Sequence, residues 1–410
     1  IVRFFLEMDP RLFKDGGRLG GRAGRAKGEG MPGRKIPRGK RKRRFRGTSR
    51  TRTLLIPRLA LWAGVGVFVF AMALSCGDDE YEGGPSGDPN PNDPHPVWVF
   101  EIHKWAKYDQ NGRKLLEKDD VDLGRALGLN PAKGEIWAAG SGGIEIYNSS
   151  ASLKKNTELE GYVECMAFDT KDKKAWVLHE PEFNHFWLTK LTCDGDIIFD
   201  KPLGSAFVNT TDIAVYEETG IVWVTTRGGS RGGYIHKMDK RGDVVFTKTG
   251  QELGYDYEFV RVRIDQTDGG VWIDGGGSTL APFLLKINQD GKPVQKLYRG
   301  GANLLVNLVD VGRTTGDVLI GTSEGPKKPS YTRLYDKSGK LLWQSEPAKP
   351  YGPRGICDYD GSCWVIYRRD PGVYKMSKIS RTGEYLIRDI PTFGNQDFFK
   401  LFIKNDPYPY

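Results

Sequence analysis

The sequence predicts an all-β chain: a seven-bladed β-propeller of four-stranded antiparallel blades, closed by a C-terminal strand joining the N-terminal blade. Three observations predict it. A short extended run recurs seven times, as Val97-Trp98-Val99, Ile136-Trp137-Ala138, Ala175-Trp176-Val177, Val222-Trp223-Val224, Val271-Trp272-Ile273, Val318-Leu319-Ile320 and Cys363-Trp364-Val365. Their central residues lie 39, 39, 47, 49, 47 and 45 positions apart, and a period of this length marks sheets that are stacked or set radially. A compact turn recurs after the strand that follows each run. Finally, the two ends of the repeat region are offset, so that each supplies what the other lacks.

The unit around Trp176 shows the plan. Val163 to Phe168 and Ala175 to Leu178 flank a turn at Lys171-Asp172-Lys173; a longer loop leads to Phe186–Leu191, the turn Cys193-Asp194-Gly195, and Ile197–Phe199. Alternating apolar and polar residues with turn punctuation signal strands, and no segment has a convincing helical period. The last turn is the most regular feature, as in Tyr108-Asp109-Gln110-Asn111-Gly112, Met238-Asp239-Lys240-Arg241-Gly242 and Tyr335-Asp336-Lys337-Ser338-Gly339. Its Gly suits a left-handed position, and its Asp can accept backbone hydrogen bonds. The further oxygen ligands of a calcium loop are lacking, so no metal is expected. The second unit departs most, with Asn148-Ser149-Ser150 at this place.

At the N-terminal end, the first unit has its Trp strand at Val97 but no strand before it. At the C-terminal end, Phe398 to Ile403 is a first strand with no Trp strand after it. Joining the two removes both free edges and closes the ring at seven; six or eight blades remain the other counts. The repeated Trp is expected to pack between adjacent sheets.

Charge divides the chain differently. Residues 1–58 carry 19 Lys and Arg against four acidic residues, leaving residues 59–410 at about −6 of the chain's +9. The basic total therefore belongs to the front end, and nucleic acid is not an expected partner. Leu59 to Ser75 is an uncharged apolar stretch of 17 residues, short for a membrane span. Basic region, apolar core and small residues before Cys76 form an export signal. Met31 is a plausible start, and residues 1–30 need not be native. Residues 76–96 read as a lipidated cysteine and flexible linker, and 97–410 as the propeller.

Ala73-Leu74-Ser75-Cys76 resembles a bacterial lipoprotein signal, although Ala73 and Leu74 invert its usual order. Lipidation of Cys76, an uncleaved anchor and plain secretion all place the propeller outside the cytoplasm. The expected location is the bacterial cell envelope, lipid-anchored and facing the periplasm or the outer surface. Cys357 and Cys363 flank a turn-rich run in a candidate disulfide. Thr219-Gly220-Ile221-Val222-Trp223-Val224 followed by Ile235-His236-Lys237-Met238-Asp239-Lys240-Arg241-Gly242 is similar to the NHL-type and related bacterial six- or seven-bladed propellers. The resemblance covers residues 97–410, without the Asn-His-Leu signature. It implies an interaction scaffold, a sugar or peptide binder, or in a few cases a lyase or hydrolase.

Scaffolded loops usually carry function. Here Glu180 and His185, Arg227 and Arg231, Asp274, Lys327, Arg368 and Arg369 lie on or beside the irregular loops between second and third strands. Arg clusters suit carboxylates or phosphates through a planar donor fork. The five His form no zinc spacing, and the Gly-rich runs at 227–233 and 275–278 match no phosphate loop. His185, His236, Arg227 and Asp274 are the constellation that a propeller lyase could use, with His236 expected on an exposed strand. The reading leans to a noncatalytic, membrane-tethered, monomeric scaffold for an envelope protein, peptide or glycan, without cofactor. A propeller enzyme, lyase or hydrolase, with a polar site at the channel mouth is the alternative.

Overall fold

The computed structural model describes residues 95–100, 104–119, 126–130, 133–204, 207, 209–227, 232–255, 258–277, 280–299, 305–323, 328–348, 354–370, 373–392 and 400–403. The basic region, the apolar stretch and Cys76 lie outside them. No α-helix occurs among the described residues, and no helix there is long and apolar enough to cross a membrane.

Five antiparallel sheets have four strands and one has six. Sheet A is ordered Lys400–Ile403, Val97–Phe100, Lys104–Tyr108, Lys114–Asp119. Sheet C runs Thr210–Tyr216, Ile221–Thr226, Tyr234–Met238, Val244–Thr249. Sheet D runs Phe259–Ile264, Val271–Gly277, Leu280–Ile287, Pro293–Arg299. Sheet E runs Leu305–Val311, Val318–Ser323, Ser330–Tyr335, Leu341–Gln344. Sheet F runs Arg354–Cys357, Cys363–Asp370, Val373–Ile379, Tyr385–Pro391. Sheet B holds six strands: Ala126–Asn130, Glu135–Tyr147, Leu153–Asp169, Lys174–Glu182, His185–Thr192 and Ile197–Pro202. In sheet A the C-terminal strand pairs with the first Trp strand, Val97 opposite Ile403 and Phe100 opposite Lys400.

The turn between third and fourth strands has the chemistry its sequence requires. The side-chain oxygens of Asp109, Asn148, Asp239, Asn288 and Asp336 each accept N–H groups two and four residues on. Thr192 does the same with its hydroxyl. Such side-chain caps satisfy donors that the tight turn leaves unpaired. Gly242, Gly291 and their equivalents take the left-handed position. In the second unit Ala151 occupies that position at φ +67°. The same turn therefore forms without glycine, because Asn148 supplies the cap.

Each Trp of the repeated run is fully buried and packs toward the following unit. Trp176 joins a cluster with Ile213 and Val224, Trp272 one with Val306 and Ile320, and Trp364 one with Val97 and Tyr108. Opposite the Trp, the third strand places a lysine: Trp98 faces Lys107, Trp176 Lys190, Trp223 Lys237, Trp272 Lys286 and Trp364 Lys378. The ammonium groups sit 4.6–5.7 Å from the ring centroids, within cation–π range. Where Leu319 replaces Trp, its partner is Leu334. The stems cover the rings and the heads reach turn acceptors. Lys286 bonds Asp265 and Asp268, both at 2.7 Å. Lys237 donates to the carbonyl of Gln289 in the next sheet. Lys378 donates to Gln110 across 268 positions of sequence.

Candidate functional site

The first strands of neighbouring sheets lie beside one another, from sheet C through D, E and F to the C-terminal strand of sheet A, and from there to Ala126–Asn130. Register sets the level of each side chain. Asp212 lies opposite Thr225, Arg261 opposite Asp274, Asn307 opposite Gly321 and Arg354 opposite Ile366. Each partner is two residues beyond the Trp or Leu of its strand. Four polar residues thus occupy one level on four successive first strands. Bulges at Thr210/Asp212 and Phe259/Arg261 help to turn them there, as bulges do when they re-aim a side chain.

Three of the four are tied to neighbouring sheets. Asp212 accepts from the backbone N–H of Val262 at 3.1 Å and from Arg263. Arg261 donates to Asp274 at 3.2 Å and to Asn307 at 3.1 Å. Asp274 also accepts the Leu308 N–H at 2.7 Å. One level further on, Asp310 accepts the Cys357 N–H at 2.8 Å. Burial pushes the carboxyls of Asp274 and Asp310 above the ordinary range, against the pull of the nearby arginines. The side chain of Arg354 reaches solvent on this wall and has no hydrogen bond or ion pair among the described residues. The protein packed around it, and then the nearby Arg261, nevertheless lower its hold on a proton. At the turn-bearing end, Arg313 of sheet E reaches across to Thr170 of sheet B and Glu217 of sheet C.

The loop residues singled out in the sequence fall elsewhere. Arg227 forms a long ion pair with Glu258, 3.7 Å, and Arg368 lies over Tyr374. Glu180 accepts the N–H of Asn184 within its own hairpin. His185 is mostly exposed and contacts Glu182 at 3.0 Å. Arg231, Lys327 and the side chain of Arg369 lie outside the described residues. Asp274 alone joins the first-strand cluster. His236, expected on an exposed strand, is buried, stacked on Phe207 at 3.9 Å and bonded to Thr247. The reason is radial packing, which covers both faces of a middle strand. No group of three or more metal-binding side chains occurs among the described residues. A separate hollow of ≈ 500 Å³ in sheet B is lined by Gly142, Asn156, Glu158, Leu159 and Glu160.

The polar first strands carry no irregular loop and no motif that marks them in the sequence. The available signal was Phe259-Val260-Arg261-Val262-Arg263-Ile264, where two arginines alternate with core residues at the start of a repeat.

This arrangement of sheets matches known folds. The chain is similar to hydrazine synthase of Kuenenia stuttgartiensis, at 13% identity, TM-score 0.51, covering 68% of this chain and 89% of that one. It also matches a chain of a nidogen/laminin complex (11% identity, TM-score 0.43, 62% and 94% covered). A Bacteroides caccae protein of unknown function matches at 13% identity, TM-score 0.43, 61% and 93% covered. The fold is a β-propeller. No family model and no curated protein sequence matches the propeller or its N-terminal region.

Proposed function

We propose that residues 97–410 form a closed seven-bladed propeller, tethered outside the bacterial cytoplasm, which serves as a noncatalytic binding scaffold of the cell envelope. The count is supported by sheet B, whose strands Glu135–Tyr147 and Leu153–Asp169 are each long enough for two strands of the repeat. Gly142 and Gly143 interrupt the first and Gly161 the second, all at positive φ. Closure is supported by the pairing of Lys400–Ile403 with Val97–Phe100 and by the shared core of sheets A and F.

The observation that carries the binding reading is the row Asp212, Arg261, Asn307 and Arg354. It presents fixed donors and acceptors on adjacent rigid strands, the arrangement that gives a recognition surface its specificity. The loop residues Glu180, His185, Arg227 and Arg368 form the outer rim in this reading. An envelope protein, peptide or glycan would be the ligand, and the membrane contact is the tether at Cys76. His95 sits among the turns, its carbonyl bonded by Gln110 and its ring 3.3 Å from the Tyr359 hydroxyl.

Expressed from Met31 in a bacterial host, the protein is expected to partition into the detergent phase, and Cys76→Ser to move to the aqueous phase. A variant that stays with detergent would replace lipidation by an uncleaved anchor.

The same location would oxidise Cys357 and Cys363, free thiols in this structure, to a disulfide. They are direct cross-strand partners with sulfurs 3.6 Å apart. The adjacent pair is hydrogen-bonded through Asp358 N–H and Ser362 C=O, so the cysteines fall at the closer, non-hydrogen-bonded kind of site. Contact with Cys363 and burial hold the Cys357 thiol well above its usual range. Oxidation is thus expected by exchange with a dithiol oxidase before the hairpin is covered, the pair's two electrons reducing the oxidase disulfide. Protein isolated from the envelope should resist alkylation at both positions until reduced. Labelling of both in unfolded, unreduced protein would rule the bridge out.

A further inference from the structure

We propose that Arg354 receives the carboxylate of a ligand in the space lined by the first strands. The proposal deepens the binding reading above and rests on it.

Level, exposure and pairing all single out this residue. Asp212, Arg261 and Asn307 share its level, and their partners hold them in place. Arg354 shares the level but spends none of its five donors on another described residue, and its side chain remains accessible. A guanidinium set in a wall without a counterion is costly, and a planar oxyanion that meets it edge-on forms two parallel charge-assisted bonds. Arg261 is near enough to disfavour the charge on Arg354. An anion near both groups is attracted by the two together. By backbone register, the next first strand places Lys400 at this level as well, opposite Phe100 two residues beyond Trp98.

The charge of the ligand is limited by the same wall. Arg263 is paired with Asp212 and Arg261 with Asp274, and Asp310 adds a further carboxylate on the adjoining strand of sheet E. Among the described side chains of these strands, one guanidinium is left for the ligand. A singly charged carboxylate matches it, whereas a phosphate dianion brings a second charge toward three aspartates. The carboxylate can come from a small organic acid or from a peptide C-terminus.

The test uses the full exported protein, with propionate, the dipeptide Ala-Ala and its C-terminal amide as probes, read by calorimetric titration and thermal shift. Wild type is expected to bind propionate or Ala-Ala and not the amide. Propionate alone would identify a small acid, and Ala-Ala alone a peptide end. Arg354→Gln is expected to weaken that binding by roughly 10- to 100-fold. Its melting temperature without probe should be unchanged or higher, because the side chain has no described partner to lose and an uncompensated charge is removed; Arg354→Lys should keep part of the affinity. Equal binding by wild type and Arg354→Gln overturns the proposal, as does binding of neither propionate nor Ala-Ala by wild type. If Arg227→Gln or Arg368→Gln abolishes binding while Arg354→Gln does not, the scaffold reading stands at the loop rim and the Arg354 site falls.

Discussion

Asp274→Ala is expected to destabilise the protein by about 3–5 kcal/mol, the range for removing one partner of a buried ion pair. Asp274 is 1% exposed. One of its oxygens accepts both the Leu308 N–H and the Arg261 guanidinium, and so links sheet D to sheet E. The other oxygen is buried with no partner among the described residues. As a charge, then, Asp274 is not comfortable: burial pushes its carboxyl upward more strongly than Arg261 pulls it down. The cost of Ala lies in what remains, a guanidinium without its anion and a backbone donor without its acceptor. Asp274→Asn keeps an acceptor for that donor and should cost less. Its cost should also depend on pH in a defined direction. A carboxyl whose folded pKa is raised contributes stability that is fully present below its unfolded pKa and is lost as pH rises through the folded one. Wild type has this contribution and Asn does not. In urea unfolding, the gap between them should be wider near about pH 4 than near about pH 7. An equal gap at both would mean that the carboxyl is not perturbed.

The fold was more legible in the chain than the site, for a physical reason. Strand–turn repeats are written in local chemistry: the Asp109 or Asp239 cap and the left-handed Gly three residues later lie within five positions, and the Trp strand has its own apolar run. Even the irregular Asn148 turn kept enough of that chemistry to form. The partner of each Trp is different, because Lys286 meets Trp272 only through the register of two strands. The site is less local still. Asp212 finds its acceptor role on Val262 and Arg263 of the next sheet, and Asp310 on Cys357. Alternation also loses its usual meaning in a radial array. A middle strand is covered on both faces, so His236, Thr225 and Ser377 are buried although they are polar. On the first strands, positions that read as solvent-facing instead meet the neighbouring sheet, as Arg261 meets Asn307 and Asp212 meets Val262. Sequence could see Arg261 and Arg354 as polar, but not that they share a level.

Trp272→Ala is expected to cost about 3–5 kcal/mol, at the upper end for core truncations. The ring is fully buried, joins the second strand of sheet D to Val306, Leu308 and Ile320 of sheet E, and supports the stem of Lys286. Its removal opens a cavity between two sheets that meet at fixed spacing, so neither can collapse without disturbing its next neighbour. It also leaves Lys286, buried and paired with Asp265 and Asp268, without the surface under its stem. Trp272→Phe separates bulk from polarity. The indole N–H of Trp272 has no acceptor among the described residues, nor do those of Trp98, Trp137, Trp176, Trp223 and Trp364. Phe loses part of the ring volume but also removes a buried donor that itself costs about 1–3 kcal/mol, so its net effect should stay below about 1.5 kcal/mol. Leu319, which faces Leu334 at the equivalent place, shows that the position accepts a purely apolar pair. The double change Trp272→Leu with Lys286→Leu would import that pair into sheet D, leaving Asp265 and Asp268 without their ammonium. Measured by urea unfolding, it should be less stable than Trp272→Phe by the loss of those two ion pairs. A double variant as stable as wild type would show that the lysines serve only to cover the rings, and that their turn contacts contribute nothing to the fold.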